Sequence, residues 1–247
     1  MTAPTVTLLC LPCAGASATM YLRWRRALPA WLRVVPVELP GRGERYAHAH
    51  ATDLDTLAAQ LCDRHDADLQ GRFVLFGHSM GALLAYRMAS WLRRQGRHLP
   101  ALLIASASPA PALRDPARFD GLDHDDALIA DMRKQGGTPE AVYADAELLR
   151  LALDTLAADY RLCKSHCYTA QPPLPLPIAV FAGREDDITP AQVTGWRAET
   201  SRGCTETWFD GGHFFIRHQE PAVLAALRDV LAGLNCNASR HASAQPA

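Results

Sequence analysis

Apolar residues gather in short runs at Val6 to Leu11, Val34 to Val37, Phe73 to Phe76, Leu102 to Ala105, Ile178 to Phe181 and Thr205 to Phe209. Most of these runs lack polar alternation, which suits strands covered on both faces, as in a parallel sheet. Between them, helical spacing of apolar residues predicts helices over Thr19 to Ala30, Leu54 to Arg64, Ala82 to Arg94, Ala191 to Thr200 and Pro221 to Leu231. In the third of these, Leu84, Met88 and Trp91 or Leu92 form the buried stripe. Strand and helix alternate, so the chain reads as βαβ units building an α/β domain with a mostly parallel central sheet.

The rhythm breaks between Pro109 and about Pro177, a segment with helical patterns around Leu122 to Gln135 and Ala144 to Cys167 but no good strand. Helices inserted there would emerge on the side of the sheet where ligands bind, which favours a lid over a site; a plain helical crossover is the simpler alternative. The main domain is expected over 1–232, with the insertion at about 109–177. The polar, aperiodic residues 233–247 are expected to form a flexible tail.

Composition narrows the class. The 247 residues are 49% hydrophobic and 21% charged with a formal net charge of -1, an ordinary globule without a global pull toward nucleic acid or anionic membrane. Of the 25 basic residues only Lys134 and Lys164 are lysines, and no polybasic block occurs. No apolar run is long enough for a membrane span, so no membrane association and a cytoplasmic location are expected. The seven cysteines are scattered and read as buried or partly buried thiols. Cys10 and Cys13 have redox-motif spacing but lie in or beside a strand, and Cys163, His166 and Cys167 lack a second cysteine pair for a tetrahedral metal site. No metal is called for.

Chemistry enters with Gly77-His78-Ser79-Met80-Gly81, which joins a predicted strand to a predicted helix. A G-x-S-x-G string in that context describes a nucleophile elbow, the glycines allowing strand and helix to cross closely. The alternative is a serine that merely caps the helix. A nucleophilic Ser79 needs a base, and His213 follows the last strand through Asp210-Gly211-Gly212. His218, His78 and His166 are less well placed. The acid that orients the base is expected after the run ending at Phe181, where Asp186 is the first choice and Asp187 the alternative. The order serine, acid, histidine is that of α/β-hydrolases. Backbone N–H groups of Met80 and of Ala14, or else of Cys13, would form the oxyanion hole. The turn Glu38-Leu-Pro-Gly41-Arg42-Gly43-Glu-Arg45 lacks both the dinucleotide and the Walker patterns; its arginines are expected in salt bridges, with an anionic substrate arm or a protein partner as the alternative.

These motifs, with Gly136-Gly137-Thr138-Pro139-Glu140 and Phe209-Asp-Gly-Gly-His213-Phe-Phe215, resemble the discrete type II thioesterases that accompany modular polyketide and nonribosomal peptide synthetases. The resemblance covers almost the whole chain. It implies an α/β-hydrolase fold with a mobile helical lid, a Ser79, Asp186, His213 triad, and oxyanion amides at Ala14 and Met80. It also implies hydrolysis of stalled or aberrant acyl groups from the phosphopantetheine arm of an acyl or peptidyl carrier protein, without a dissociable cofactor, by a monomer. The chain departs from the family pattern at Cys13, Ala16 and Ala157, positions that bear on acyl preference, lid contacts and carrier recognition. A general carboxylesterase or lipase of the same fold and a noncatalytic carrier-binding protein are the competing readings.

Overall fold

Each apolar run is a strand, and all six join one parallel sheet in the order β2-β1-β3-β4-β5-β6. The fold is that of a computed structural model, which describes the backbone of residues 6–242 and the side chains of residues 6–234. The strands are β1 (Val6–Leu11), β2 (Leu32–Pro36), β3 (Phe73–His78), β4 (Leu102–Ser106), β5 (Ile178–Gly183) and β6 (Cys204–Phe209). The helices are α1 (Trp24–Ala27), α2 (Leu54–Arg64), α3 (Met80–Arg94), α4 (Asp125–Gln135), α5 (Glu140–Ala144), α6 (Ala146–Lys164), α7 (Pro190–Thr194), α8 (Phe215–His218) and α9 (Glu220–Ala242).

Side chains of a strand alternate between faces, so the continuous apolar runs feed two cores. Leu9, Leu75, Leu103 and Val180 point into the core shared with α2 and α3. Leu8, Val74, Ile104 and Ala179 point into the opposite core, which contains Tyr21, Trp24 and Leu227. The strand order reverses direction between β1 and β3, and a crevice opens beyond their carboxyl ends at such a switch point.

Two predicted helices are broken. The segment from Thr19 becomes a 3-10 turn, Ala18–Tyr21, and the short α1. Pro29 disfavours helical backbone at Leu28, which is extended at φ -94 and ψ 155, so the helix stops at Ala27. Tyr21 and Trp24 instead pack edge-on against Phe76, and the Tyr21 hydroxyl donates to the Leu11 carbonyl at 2.9 Å. Likewise the helix from Ala191 becomes α7 followed by a 3-10 turn, Gly195–Glu199, in which Trp196 Nε1 donates to the Ser108 carbonyl at 2.9 Å. At the other end α9 runs on past Gly233 to Ala242, into the stretch expected as a tail; residues 243–247 lie outside the described ones.

Three helices of the insertion between β4 and β5, α4 to α6, have a small core of their own in Leu128, Met132, Leu153 and Leu156. Ala14, in the loop after β1, packs against that core. Among the described residues no helix is long and apolar enough to cross a membrane.

Candidate active site

Ser79 stands between β3 and α3 at φ 56 and ψ -113, a backbone conformation that a side-chain-bearing residue rarely adopts. The neighbouring glycines make the turn possible. A methyl at Gly77 would collide with the Gly81 carbonyl, and one at Gly81 with the carbonyls of Leu11 and Pro12. Ser79 occupies the cap position of α3, yet its side chain makes no capping hydrogen bond. The hydroxyl is left for other work, and its backbone N–H is tied to the Ser106 carbonyl of β4 at 2.8 Å.

Asp186 and His213 meet beyond β5 and β6. Gly183 ends β5 and lets the β6–α8 loop fold back over it: an added methyl would lie 2.6 Å from the Gly211 oxygen and 2.7 Å from the Gly212 oxygen. Arg184 N–H donates to the Phe209 carbonyl at 2.9 Å and Glu185 N–H to that of Gly211 at 3.1 Å, so the two loops are stitched together. His213 Nδ1 is then 2.9 Å from Asp186 Oδ2. A carboxylate only accepts, so Nδ1 carries the proton and Nε2 is left with a lone pair. The Asp186 side chain is 4% exposed. Asp187 turns outward, 59% exposed, and its ion pair with Lys134 at 2.5 Å holds its carboxyl below the usual range.

Ser79, Asp186 and His213 line one cavity of about 580 Å³, roofed by Met132, Leu156 and other residues of the insertion. Ala14 lines it too. Among the described residues, neither Ala14 N–H nor Met80 N–H donates to a backbone carbonyl; Ala14 lines the cavity, and Met80 follows Ser79 as the first residue of α3. The sites singled out in the sequence therefore converge, whereas His218 is exposed on α8 and does not take part.

His78 faces the other way. It is fully buried, with Nδ1 2.9 Å from Ser106 Oγ and its ring against Phe215 and His213. Burial holds His78 well below the ordinary imidazole range and brings His166 down to about 4. Unfolded, both rings protonate near 6.5, so between 6.5 and about 4 the unfolded chain binds more protons and stability falls as pH falls. Thermal unfolding midpoints measured across that window should decline, and more shallowly in His166→Gln; equal slopes would remove His166 from the cause.

The sequence reading places Arg42 in a salt bridge without naming its partner. The structure supplies Asp159 of α6, in a buried two-pronged pair with both N–O distances at 2.6 Å. The Gly15 N–H also donates to Asp159 Oδ2, at 2.8 Å, and Arg42 Nη1 donates to the Ala16 carbonyl at 3.1 Å. One carboxylate of the insertion thus holds the loop carrying Ala14. Asp159→Ala would strand the Arg42 charge, and a loss of about 3–5 kcal/mol is expected in denaturant unfolding. Apolar replacement of both partners, Arg42→Met with Asp159→Leu, should recover most of that loss.

A profile of the thioesterase domain family matches residues 6–231. The thioesterase PikA5 of Streptomyces venezuelae is 33% identical over 228 residues, covering 92% of this chain and 81% of its own. Among solved structures, the RedJ thioesterase of the prodiginine pathway of Streptomyces coelicolor aligns with a TM-score of 0.84 at 35% identity, over 92% of this chain and 90% of that one. The type II thioesterase BorB of the borrelidin biosynthetic cluster aligns at 0.83 and 37% identity, over 92% of each chain.

Proposed function

Because the chain belongs to the thioesterase domain family, and is a serine thioester hydrolase of the type II group with the α/β-hydrolase fold, we propose that Ser79, Asp186 and His213 are its catalytic triad. Its natural substrates are acyl groups stalled on the phosphopantetheine arms of synthetase carrier domains. The observation that carries the triad is the Asp186–His213 bond together with a serine on a strained elbow, all three side chains lining one cavity.

His213 Nε2 takes the Ser79 proton as Oγ attacks the thioester carbonyl. Asp186 stabilises the imidazolium that results. Negative charge develops on the carbonyl oxygen, where the amides of Ala14 and Met80 donate to it; each such donor contributes on the order of 3 kcal/mol to the transition state. Collapse expels the pantetheine thiol, protonated by His213, and leaves an acyl-serine ester. Water then attacks that ester with His213 as base, releasing the free acid and restoring Ser79. These steps need no metal or dissociable cofactor, since the pantetheine is part of the substrate. We take the working form to be a cytoplasmic monomer.

Intact-mass measurement of carriers loaded with a panel of acyl groups tests the reading. Loss of the acyl mass with faster turnover than matched oxygen esters is the expected result. A preference for the oxygen esters would make the protein a general esterase, and binding without turnover would make it a noncatalytic carrier partner.

A further inference from the structure

Among the described residues, the cavity wall holds a cation without a counter-charge. Arg114 lies beyond β4, in the segment that leaves the sheet beside the elbow, and lines the same cavity as Ser79 and His213. Its guanidinium donates to Ser108 Oγ at 3.0 Å. Among the described residues that line the cavity, the carboxylates are engaged elsewhere: Asp186 with His213, Asp187 with Lys134, and Asp115 with the Ala117 N–H. Arg118, a second cation of the wall, is paired with Asp131 at 2.7 Å. The titratable groups that interact with Arg114 are Cys163 and His166. Burial pushes the Cys163 thiol up to about 12 and His166 down to about 4, so both are neutral near pH 7.

A partly buried guanidinium with one hydroxyl partner has lost water without gaining an anion. Desolvation accordingly pulls its pKa below the ordinary value. Such a group is stabilised when a ligand delivers the missing charge, and its planar fork matches a carboxylate. Two parts of a carrier-bound thioester could do so: an acid group on the acyl chain, or the phosphate of the arm. Exposure separates them. Arg217, the other cavity arginine without a carboxylate partner, is exposed, lies over the face of Phe214, and also borders a polar surface pocket with Arg23. The exposed Arg217 suits a solvent-borne phosphate, and the more enclosed Arg114 suits the acyl end.

We propose that Arg114 is a specificity residue that receives a carboxylate on the acyl chain, so that the half-thioesters of dicarboxylic acids are among the groups this enzyme releases. The assignment rests on the thioesterase mechanism proposed above. Arg114 takes no part in bond making; it holds the far end of the acyl group while Ser79 attacks the near end.

The test compares a carrier loaded with a succinyl group and one loaded with the corresponding neutral amide, succinamoyl, for wild type, Arg114→Met and Arg114→Lys. The expected wild-type preference is for succinyl in kcat/KM. Arg114→Met should lower the succinyl-to-succinamoyl ratio by roughly 100-fold, and Arg114→Lys should retain part of it. An unchanged ratio in Arg114→Met would reduce Arg114 to a support for Ser108 and overturn the proposal. So would a wild type that releases succinamoyl faster. Repeating the comparison on acyl-pantetheine without the phosphate separates the two anions. A loss in Arg114→Met that is equal for both acyl groups and vanishes without the phosphate assigns the guanidinium to the arm and overturns the acyl assignment. Release of neither group by the wild type would instead remove the thioesterase reading, and this proposal with it.

Discussion

Ser79→Ala should lower the release of acyl groups from loaded carriers by roughly 10⁵- to 10⁶-fold, the scale seen when a triad serine is removed. The variant should still fold. The backbone strain at φ 56 is already present in the wild type, alanine keeps the Cβ, and the serine hydroxyl caps nothing. Residual turnover would come from the oxyanion donors and from binding alone. Single-turnover intact-mass time courses, with circular dichroism to verify the fold, give the measurement. A variant retaining more than about 1% of wild-type turnover would exclude Ser79 as the nucleophile, because such activity exceeds what those remaining elements supply.

Asp186→Asn should lower kcat by about 10⁴-fold, with Asp187→Asn changing it by no more than about threefold. Two adjacent carboxylates have separate fates. Asp186 is enclosed and accepts the Nδ1 proton of His213; in the proposed triad its charge sets which nitrogen serves the serine and stabilises the imidazolium. An asparagine in its place can present an N–H to the ring and favour the wrong tautomer. Asp187 is solvated and bridges to Lys134 of α4, an ion pair of the kind that contributes at most about 1 kcal/mol. Steady-state kinetics on one loaded carrier decide it: a larger loss for Asp187→Asn than for Asp186→Asn would reverse the assignment.

The strands were legible because a parallel sheet buries both faces and so leaves continuous apolar runs, as in Val6–Leu11 and Ile178–Gly183. The elbow was legible because its geometry is local: five consecutive residues carry the close crossing, the strained serine and the amide proposed as an oxyanion donor. Helices were less so. A periodic pattern from Thr19 concealed the stop imposed on Leu28 by Pro29, and packing of Tyr21 and Trp24 on Phe76 took precedence over helical continuity.

By itself the sequence determined the sheet and the helical insertion, and it singled out the candidate nucleophile, the candidate base and a short list of candidate acids. Tertiary structure alone decided that Asp186 turns inward and Asp187 outward, that Asp159 clamps Arg42 and Gly15 across 117 and 144 residues, and that Arg114 lines the cavity with no carboxylate partner among the described residues. The physical reason is range. Periodicity and turn chemistry register neighbours within a few residues, whereas the burial and pairing of a charge depend on which distant segment folds against it.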